Sequence, residues 1–474
     1  MRNILVSATL ASALSCASVP APQPVTLPQA DDPSIRAMAF SRDRATLWFA
    51  VGSERCEVRA LAIDSKSERV AFPLDSCPTS ITVLEDESLL LTDGARLGAW
   101  KRPDGSDVMP GSEIVAAAGA SNYVTVRADK LVWKRGEIEK DLGPRDSVRG
   151  IRLLPVTGDL LAITRRAEGE LIVRMTAAGA NDVSPVFTAI DSFDVAPRGD
   201  EIVFSARRES GFDVAIASPD GTKLNWVAPD PADEVSVTWA PRGNKISYLM
   251  RGLDSTVVRT VHVPTAFQLT FDTPYMTVRG LAWESRAERF AMILDGPTAS
   301  PHIDWIEYGG AKRETLVAPR YVVAREPEPM AFGSATALLL APAAIRYGET
   351  LPLFVRLTDE PLSWSPDLRD LASLGGVILV VPPGAWGDGK RLTELLGALK
   401  WVDPGRIVVI DPAARLAAGS SGFTTGRTLL TLGTKQARGR FFSQRELPEG
   451  GSVVEAADWQ GAMGYLRGEF KTKQ

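Results

Sequence analysis

Histidine is almost absent from this chain: two residues, His262 and His302, in 474. Clustered imidazole metal sites are thereby excluded, and any acyl-transfer chemistry would have to recruit one of these two rings. Cysteine is limited to Cys16, Cys56 and Cys77, with no Cys-x-x-Cys spacing, which removes thioredoxin-like and zinc-ribbon chemistry. The net charge is −5 and no segment is strongly basic, so no nucleic-acid partner is expected. Aromatic residues make up only 7%. Against these scarcities stand 40 Gly and 33 Pro, with 45% hydrophobic and 23% charged residues. Such a chain is globular and rich in turns, and it is long enough for two or three domains.

The N-terminus has the pattern of an export signal. Arg2 precedes the mostly apolar stretch Ile4–Leu14, which is too short to cross a bilayer, for which ~20 residues are needed. Two processing routes fit. Cleavage after Ala17 uses the small residues Ser15 and Ala17. Cleavage before Cys16 would leave that cysteine for lipidation, because Ala13-Leu14-Ser15-Cys16 resembles a bacterial lipoprotein box with Ala in place of the usual Leu. Residues 1–17 are therefore assigned to the signal and 18–34 to a Pro-rich linker. The expected location is the periplasm, or an outer membrane to which the chain is held only by an N-terminal lipid. Cys56 and Cys77, an even pair in an exported protein, are expected to form a structural disulfide.

From 35 to 325 short alternating or apolar runs are separated by Gly, Pro, Asp and Asn turns, the look of many short strands. An internal repeat is legible. Asp194-Val-Ala-Pro-Arg-Gly-Asp-Glu-Ile-Val-Phe-Ser205 matches Thr238-Trp-Ala-Pro-Arg-Gly-Asn-Lys-Ile-Ser-Tyr-Leu249 at an offset of 44 residues. Weaker copies start at Met38 and Leu281. In the two clear copies a strand ends, Pro-Arg-Gly makes the turn with positive φ at Gly, and an alternating strand begins. Pro219-Asp-Gly-Thr222 marks the next hairpin. Four strands per ~44 residues is the signature of a β-propeller, and the region holds about seven such units. Arg198-Gly199-Asp200 spells an adhesion tripeptide, but the partner copy reads Arg-Gly-Asn, so it belongs to the turn. The repeat resembles TolB-like propellers and, equally, the propeller of prolyl oligopeptidase-type serine peptidases.

Composition changes near 330, after a linker-like Glu326-Pro-Glu-Pro-Met330. Ala335–Leu340, Leu351–Leu357, Val377–Val381 and Ile407–Ile410 read as apolar strands, with helical stretches at Leu368–Leu374 and Arg391–Trp401 between them. This alternation implies an α/β layer with a parallel sheet over 331–474. The last segment, with Val453, Val454, Ala457, Trp459, Met463 and Leu466, has helical spacing.

Here the resemblance becomes specific. Leu351-Pro-Leu-Phe-Val-Arg-Leu357 is similar to the strand that precedes His-Gly-Gly-Pro in prolyl oligopeptidase-family catalytic domains. Leu371-Ala-Ser-Leu-Gly-Gly-Val-Ile-Leu-Val-Val381 resembles the next strand entry, and Val402-Asp-Pro-Gly-Arg-Ile-Val-Val-Ile410 resembles the strand that runs into the nucleophile elbow. The resemblance implies a mostly β chain, about seven propeller blades followed by a smaller, incomplete α/β-hydrolase-like domain.

The family's catalytic groups do not come across. The elbow requires a nucleophile flanked two residues away on each side by Gly. This chain has Ala413 there, flanked by Asp411 and Arg415. Thr358, Asp359 and Glu360 replace the His-Gly-Gly of the oxyanion stretch, and two carboxylates would repel a developing oxyanion. No histidine follows residue 302, so the general base is missing. About 60 residues follow 415, too few for the strands that carry the triad Asp and His. Gly419-Ser-Ser-Gly422 lacks the last Gly of an elbow motif, since Phe423 stands there. Gly384, Gly387 and Gly389 do not have nucleotide-loop spacing. No catalytic, metal or cofactor site is assigned. The expectation is a non-catalytic, exported propeller with a protein or peptide partner; the alternative is an active serine peptidase of the resembled family. A fusion of residues 1–34 to alkaline phosphatase should be active outside the cytoplasm. Globomycin should block its maturation only if Cys16 is lipidated; a fusion retained inside the cell contradicts export.

Overall fold

Alternating apolar side chains give each blade two faces to bury, and the chain satisfies them by stacking meanders in a ring. In the computed structural model the described residues run from 34 to 471, apart from scattered short stretches and the longer ones 320–325, 359–365, 383–389, 412–426, 433–441 and 447–451. Seven antiparallel sheets follow one another from Ser34 to Val317. Six have four strands in sequence order; the second, Ser80–Lys101, has three among the described residues, with a bridge from Lys101 to Asp107 beyond them. The first strands of neighbouring blades touch one another around the ring, so they are the innermost. The fold is a seven-bladed β-propeller, as the 44-residue repeat implies.

The turn after the first strand shows why the repeat is readable. Gly199 and Gly243 have φ of 70° and 72°, and each N–H donates back to Ala196 and Ala240. The same turn recurs in four further blades, closed at Arg44, Glu87, Gly158 and Ala287, all with positive φ. Three of these are not Gly, and the ring imposes the left-handed conformation on side chains that resist it. This is why the copies at Met38 and Leu281 are faint and the one at Leu84 escapes notice; the one at Leu154 keeps its Gly158, but that N–H reaches back four residues instead of three and breaks the spacing. Arg198 and Asp200 flank the turn and lie 3.7 Å apart as a surface ion pair.

First and last blades meet without exchanging a strand: the first is built from Ser34–Leu74 and the last from Thr277–Val317. Their seam is side-chain packing. Ile35, Met38, Phe40, Leu47, Phe49 and Val51 lie against Ala291, Ile293, Ile303 and Leu316. Polar ties reinforce it: Ser285 Oγ donates to Arg42 O at 2.9 Å, and Lys66 pairs with Glu314.

Beyond the ring, an eight-stranded sheet begins at Glu328, so the segment read as a linker is in fact its first strand, paired antiparallel with Ala335–Leu340. Five central strands are parallel: Val377–Val381, Leu351–Leu357, Val402–Asp411, Arg427–Leu432 and Ser452–Ala456. Phe442–Glu446 pairs antiparallel on Ser452–Ala456 at the far edge. The sheet is mixed rather than wholly parallel. Helices Pro366–Ala372, Lys390–Ala398 and Trp459–Lys471 cover it, and two apolar layers lie on its opposite faces. Two expectations are corrected. The residues after 415 do suffice for three further strands, because strands of five or six residues consume little chain. Val453 and Val454 lie in a strand, where β-branched side chains fit best, and the final helix starts only at Trp459. The economy of this domain lies in its helices.

Cys56 opens the third strand of the first blade and is bonded to Cys77 in the connection to the second, with Cα atoms 5.0 Å apart. Closing this loop should contribute ~3 kcal/mol. A Cys56→Ala/Cys77→Ala chain should lose about that much in denaturant unfolding. Thiol labelling of the unfolded, unreduced protein should find neither cysteine free; full labelling of both would refute the pairing.

Candidate functional site

In an open α/β sheet, ligands meet the carboxyl ends of the strands. Here those ends are Leu357, Val381, Asp411 and Leu432, brought side by side by the parallel pairings of their strands. Thr358 N–H donates to Val381 O at 3.1 Å and holds two of the ends together. Asp411 closes the central strand, opposite Thr431, with its side chain only 1% exposed. An acidic residue buried at the tip of this strand is unlike the Gly that a nucleophile elbow needs for its tight turn. Asp359, Glu360, Ala413, Arg415 and the Gly/Ser segment 419–422 lie outside the described residues, as do Cys16 and the signal and linker before Ser34.

Both histidines are held inside the propeller. His262 ends the third strand of the sixth blade, 2.7 Å from Thr265 Oγ1 through Nδ1. His302 begins the third strand of the seventh blade and is buried. Its Nδ1 lies 2.8 Å from Ser300 O, which makes Nδ1 the protonated nitrogen. Its Nε2 faces Asp304 Oδ2 at 3.9 Å, and Arg313 Nε donates to the same oxygen at 2.7 Å. Each ring is engaged within its own blade.

The polar structure of the ring lies between blades, where the sequence singled out nothing. Asp191 accepts Ser236 N–H at 2.7 Å, and Asp194 accepts Trp239 N–H at 2.8 Å, so acids of the fifth blade cap the bulged first strand of the sixth. One blade earlier, Glu170 accepts the Ile190 N–H at 2.9 Å and pairs with Arg149 at 2.6 Å. Burial alone would raise the Glu170 carboxyl; the Arg149 and Ile190 hydrogen bonds outweigh it and hold the group below its ordinary value. The repeat offset was the available signal: Asp191 and Ser236 lie 45 residues apart, one blade and one residue.

A recess of about 200 Å³ opens at the seam of the ring. Ile35, Phe49, Val51, Pro301 and Val317 form its apolar wall, and the Arg59–Glu68 ion pair stands at its polar side. It is smaller than the ~300–1,000 Å³ of most small-molecule sites. Among the described residues no group of three His, Cys, Asp or Glu is placed to hold a metal ion.

A seven-bladed propeller followed by an α/β sheet with parallel central strands is the architecture of prolyl oligopeptidase-type peptidases, and solved structures bear this out. No protein-family model and no curated protein sequence matches the chain. A Pyrococcus horikoshii acylaminoacyl peptidase superposes over 85% of this chain and 70% of its own, with a TM-score of 0.52 and 13% identity. Oligopeptidase B from Leishmania major gives 0.58 and 11% over 85% and 70%. A puromycin hydrolase gives 0.57 and 12% over 84% and 77%. At these identities the likeness is one of fold.

Ala413→Ser tests the elbow directly. It should restore no hydrolysis of proline-containing esters or amides. The new hydroxyl would have no histidine base, and an oxyanion donor alone is worth ~3–4 kcal/mol, or 10²–10³ in rate. Turnover above the wild-type background would show that a base and a competent turn persist.

Proposed function

We propose that this chain is a non-catalytic, exported propeller protein of the bacterial cell envelope, a binding or scaffold module for a protein or peptide partner. Its α/β domain has the fold of a serine peptidase without the reactive groups. One observation carries the proposal: no histidine lies beyond residue 302, while the position two residues past the central strand's last residue is Ala413. Nucleophilic hydrolysis by a hydroxyl requires both atoms that are missing, an activated oxygen and a nitrogen base. His302 does not fill the gap, because its Nδ1 is committed to Ser300 O and the ring is buried in the seventh blade.

What remains is a rigid ring with an apolar recess at its seam and an internal cross-link. The disulfide supports an oxidising compartment. With a leader and a Pro-rich tether ahead of the ring, the protein is assigned to the periplasm or to the outer membrane through lipidated Cys16. Fold likeness to peptidases does not by itself transmit their activity.

The purified mature protein should not be labelled by a fluorophosphonate probe, which reports activated serine hydroxyls. Labelling that disappears on substitution of one serine would overturn the proposal and establish the active-hydrolase alternative. Crosslinking of the full chain in intact cells should capture a protein partner, and Phe49→Ala or Val51→Ala in the recess should weaken that capture if the seam is the contact.

A further inference from the structure

Strand register makes one residue of the ring conspicuous. Counted from the turn that separates the first two strands, the innermost strands of the first, fourth, fifth and seventh blades place Ile35, Val148, Ile190 and Val278 opposite equivalent residues of the second strand, Val51, Thr164, Ala206 and Leu294. All four are aliphatic and buried. In the sixth blade the same position, opposite Met250, is Glu234, with 0% exposure. An aliphatic side chain satisfies the packing there in four blades, so the fold does not require a carboxyl.

Glu234 sits on the boundary between the fifth and sixth blades. Its Oε2 accepts the N–H of Val214, in the fifth blade's third strand, at 3.0 Å. Neighbouring Asp233 accepts Phe212 N–H at 2.9 Å, and Ser205 Oγ donates to Glu234 O. The other carboxyl oxygen, Oε1, receives no hydrogen bond; Arg259 Nη1 lies 3.7 Å away. The hydroxyl of Tyr248, which faces the carboxyl from the second strand, is also without a hydrogen-bond partner. Arg259 is shared with Asp230 at 3.3 Å, and Asp213, across the boundary, adds a second negative charge that Arg208 at 3.3 Å partly offsets.

We propose that Glu234 is a proton-operated latch between the fifth and sixth blades. Neutral, the carboxyl can donate from Oε1 to the Tyr248 hydroxyl while Oε2 keeps the Val214 N–H, and the boundary is closed with every polar atom of the carboxyl paired. Ionised, it is a fully buried charge beside Asp213, and the Val214 amide, the Tyr248 hydroxyl and a cation shared with Asp230 do not offset the cost of burying it, so the boundary loosens where Phe212–Ala217 meets the sixth blade.

The direction follows from linkage. Burial pushes the Glu234 carboxyl up to about 7 from 4.5, against the Val214, Tyr248 and Arg259 contacts that lower it. The closed form thus holds the proton more tightly than an open one. Its stabilisation is complete below 4.5 and is lost as pH rises through about 7. Between pH 5.5 and 8.5 the opening equilibrium should rise ~30-fold.

Hydrogen exchange of the full mature chain tests this, read on peptides covering Phe212–Ala217 and corrected for the intrinsic pH dependence of exchange. Protection in the wild type should fall ~30-fold across that interval with a midpoint near 7, while Glu234→Gln and Glu234→Ile should be flat. The Ile variant restores the residue type of the other blades, so it should fold. Wild-type protection that does not change with pH, or that changes equally in both variants, overturns the latch. Should the variants fail to fold, the wild-type profile alone decides: a midpoint near the ordinary glutamate value, or none, overturns it.

Discussion

Everything in the ring depends on covering the two apolar faces of each blade with its neighbours, and one boundary must be made between residues far apart in sequence. Among the described residues no strand from one end of the ring completes the blade at the other, so the seam there is made by side chains. Phe49, Leu47 and Ile35 from the first blade and Ile293 and Ile303 from the last are almost wholly buried there. At ~1.5–3 kcal/mol for each fully buried large aliphatic or aromatic side chain, such a contact is the main hold at this seam, with the Ser285–Arg42 hydrogen bond and the Lys66–Glu314 pair beside it. The Cys56–Cys77 bond acts next to this seam, tying the first blade to the approach to the second.

The remaining boundaries carry polar structure as well as apolar cover. Bulges in the innermost strands expose backbone N–H groups that the next strand cannot pair, and side chains of the preceding blade accept them: Asp191 and Asp194 take Ser236 and Trp239. Where the chain departs from the shared pattern, the departure has a chemical meaning. Glu170 is paired well enough to stay ionised, whereas Glu234 has one oxygen unsatisfied and is driven towards its neutral form. Two buried glutamates on successive boundaries are thus pushed in opposite directions, Glu234 up by its burial and Glu170 down by the Arg149 and Ile190 hydrogen bonds.

In the α/β domain the scaffold is the part that the described residues give in full order. Five parallel strands bring their carboxyl ends together as a catalytic sheet would, and Val402–Asp411 occupies the centre. Yet the strand ends on a buried acid, the residue two positions on is Ala413, and no histidine follows in the sequence. The fold needs apolar alternation and β-branched strands, which tolerate many sequences; catalysis needs particular atoms at particular positions, and a likeness of fold does not carry those atoms with it.

Sequence alone determined what depends on local chemistry. The Pro-Arg-Gly turns at 197–199 and 241–243, the apolar strands 351–357 and 377–381, and the missing histidine are properties of neighbouring residues or of composition, and they can be read without a fold. The copies that turn at Arg44 and Ala287 are faint and the one at Glu87 is not legible, because there the ring imposes positive φ on residues that do not announce it. The strands after 415 were missed because short β-branched runs such as Ser452–Ala456 resemble the start of the helix that follows. Only tertiary structure decided which residues meet across blades: that Glu234 faces Val214 and Tyr248, that Asp194 caps Trp239, and that Ile35 closes on Ile293. Those partners are set by stacking sheets whose spacing is about 10 Å, a distance relation that no periodicity along a single chain encodes.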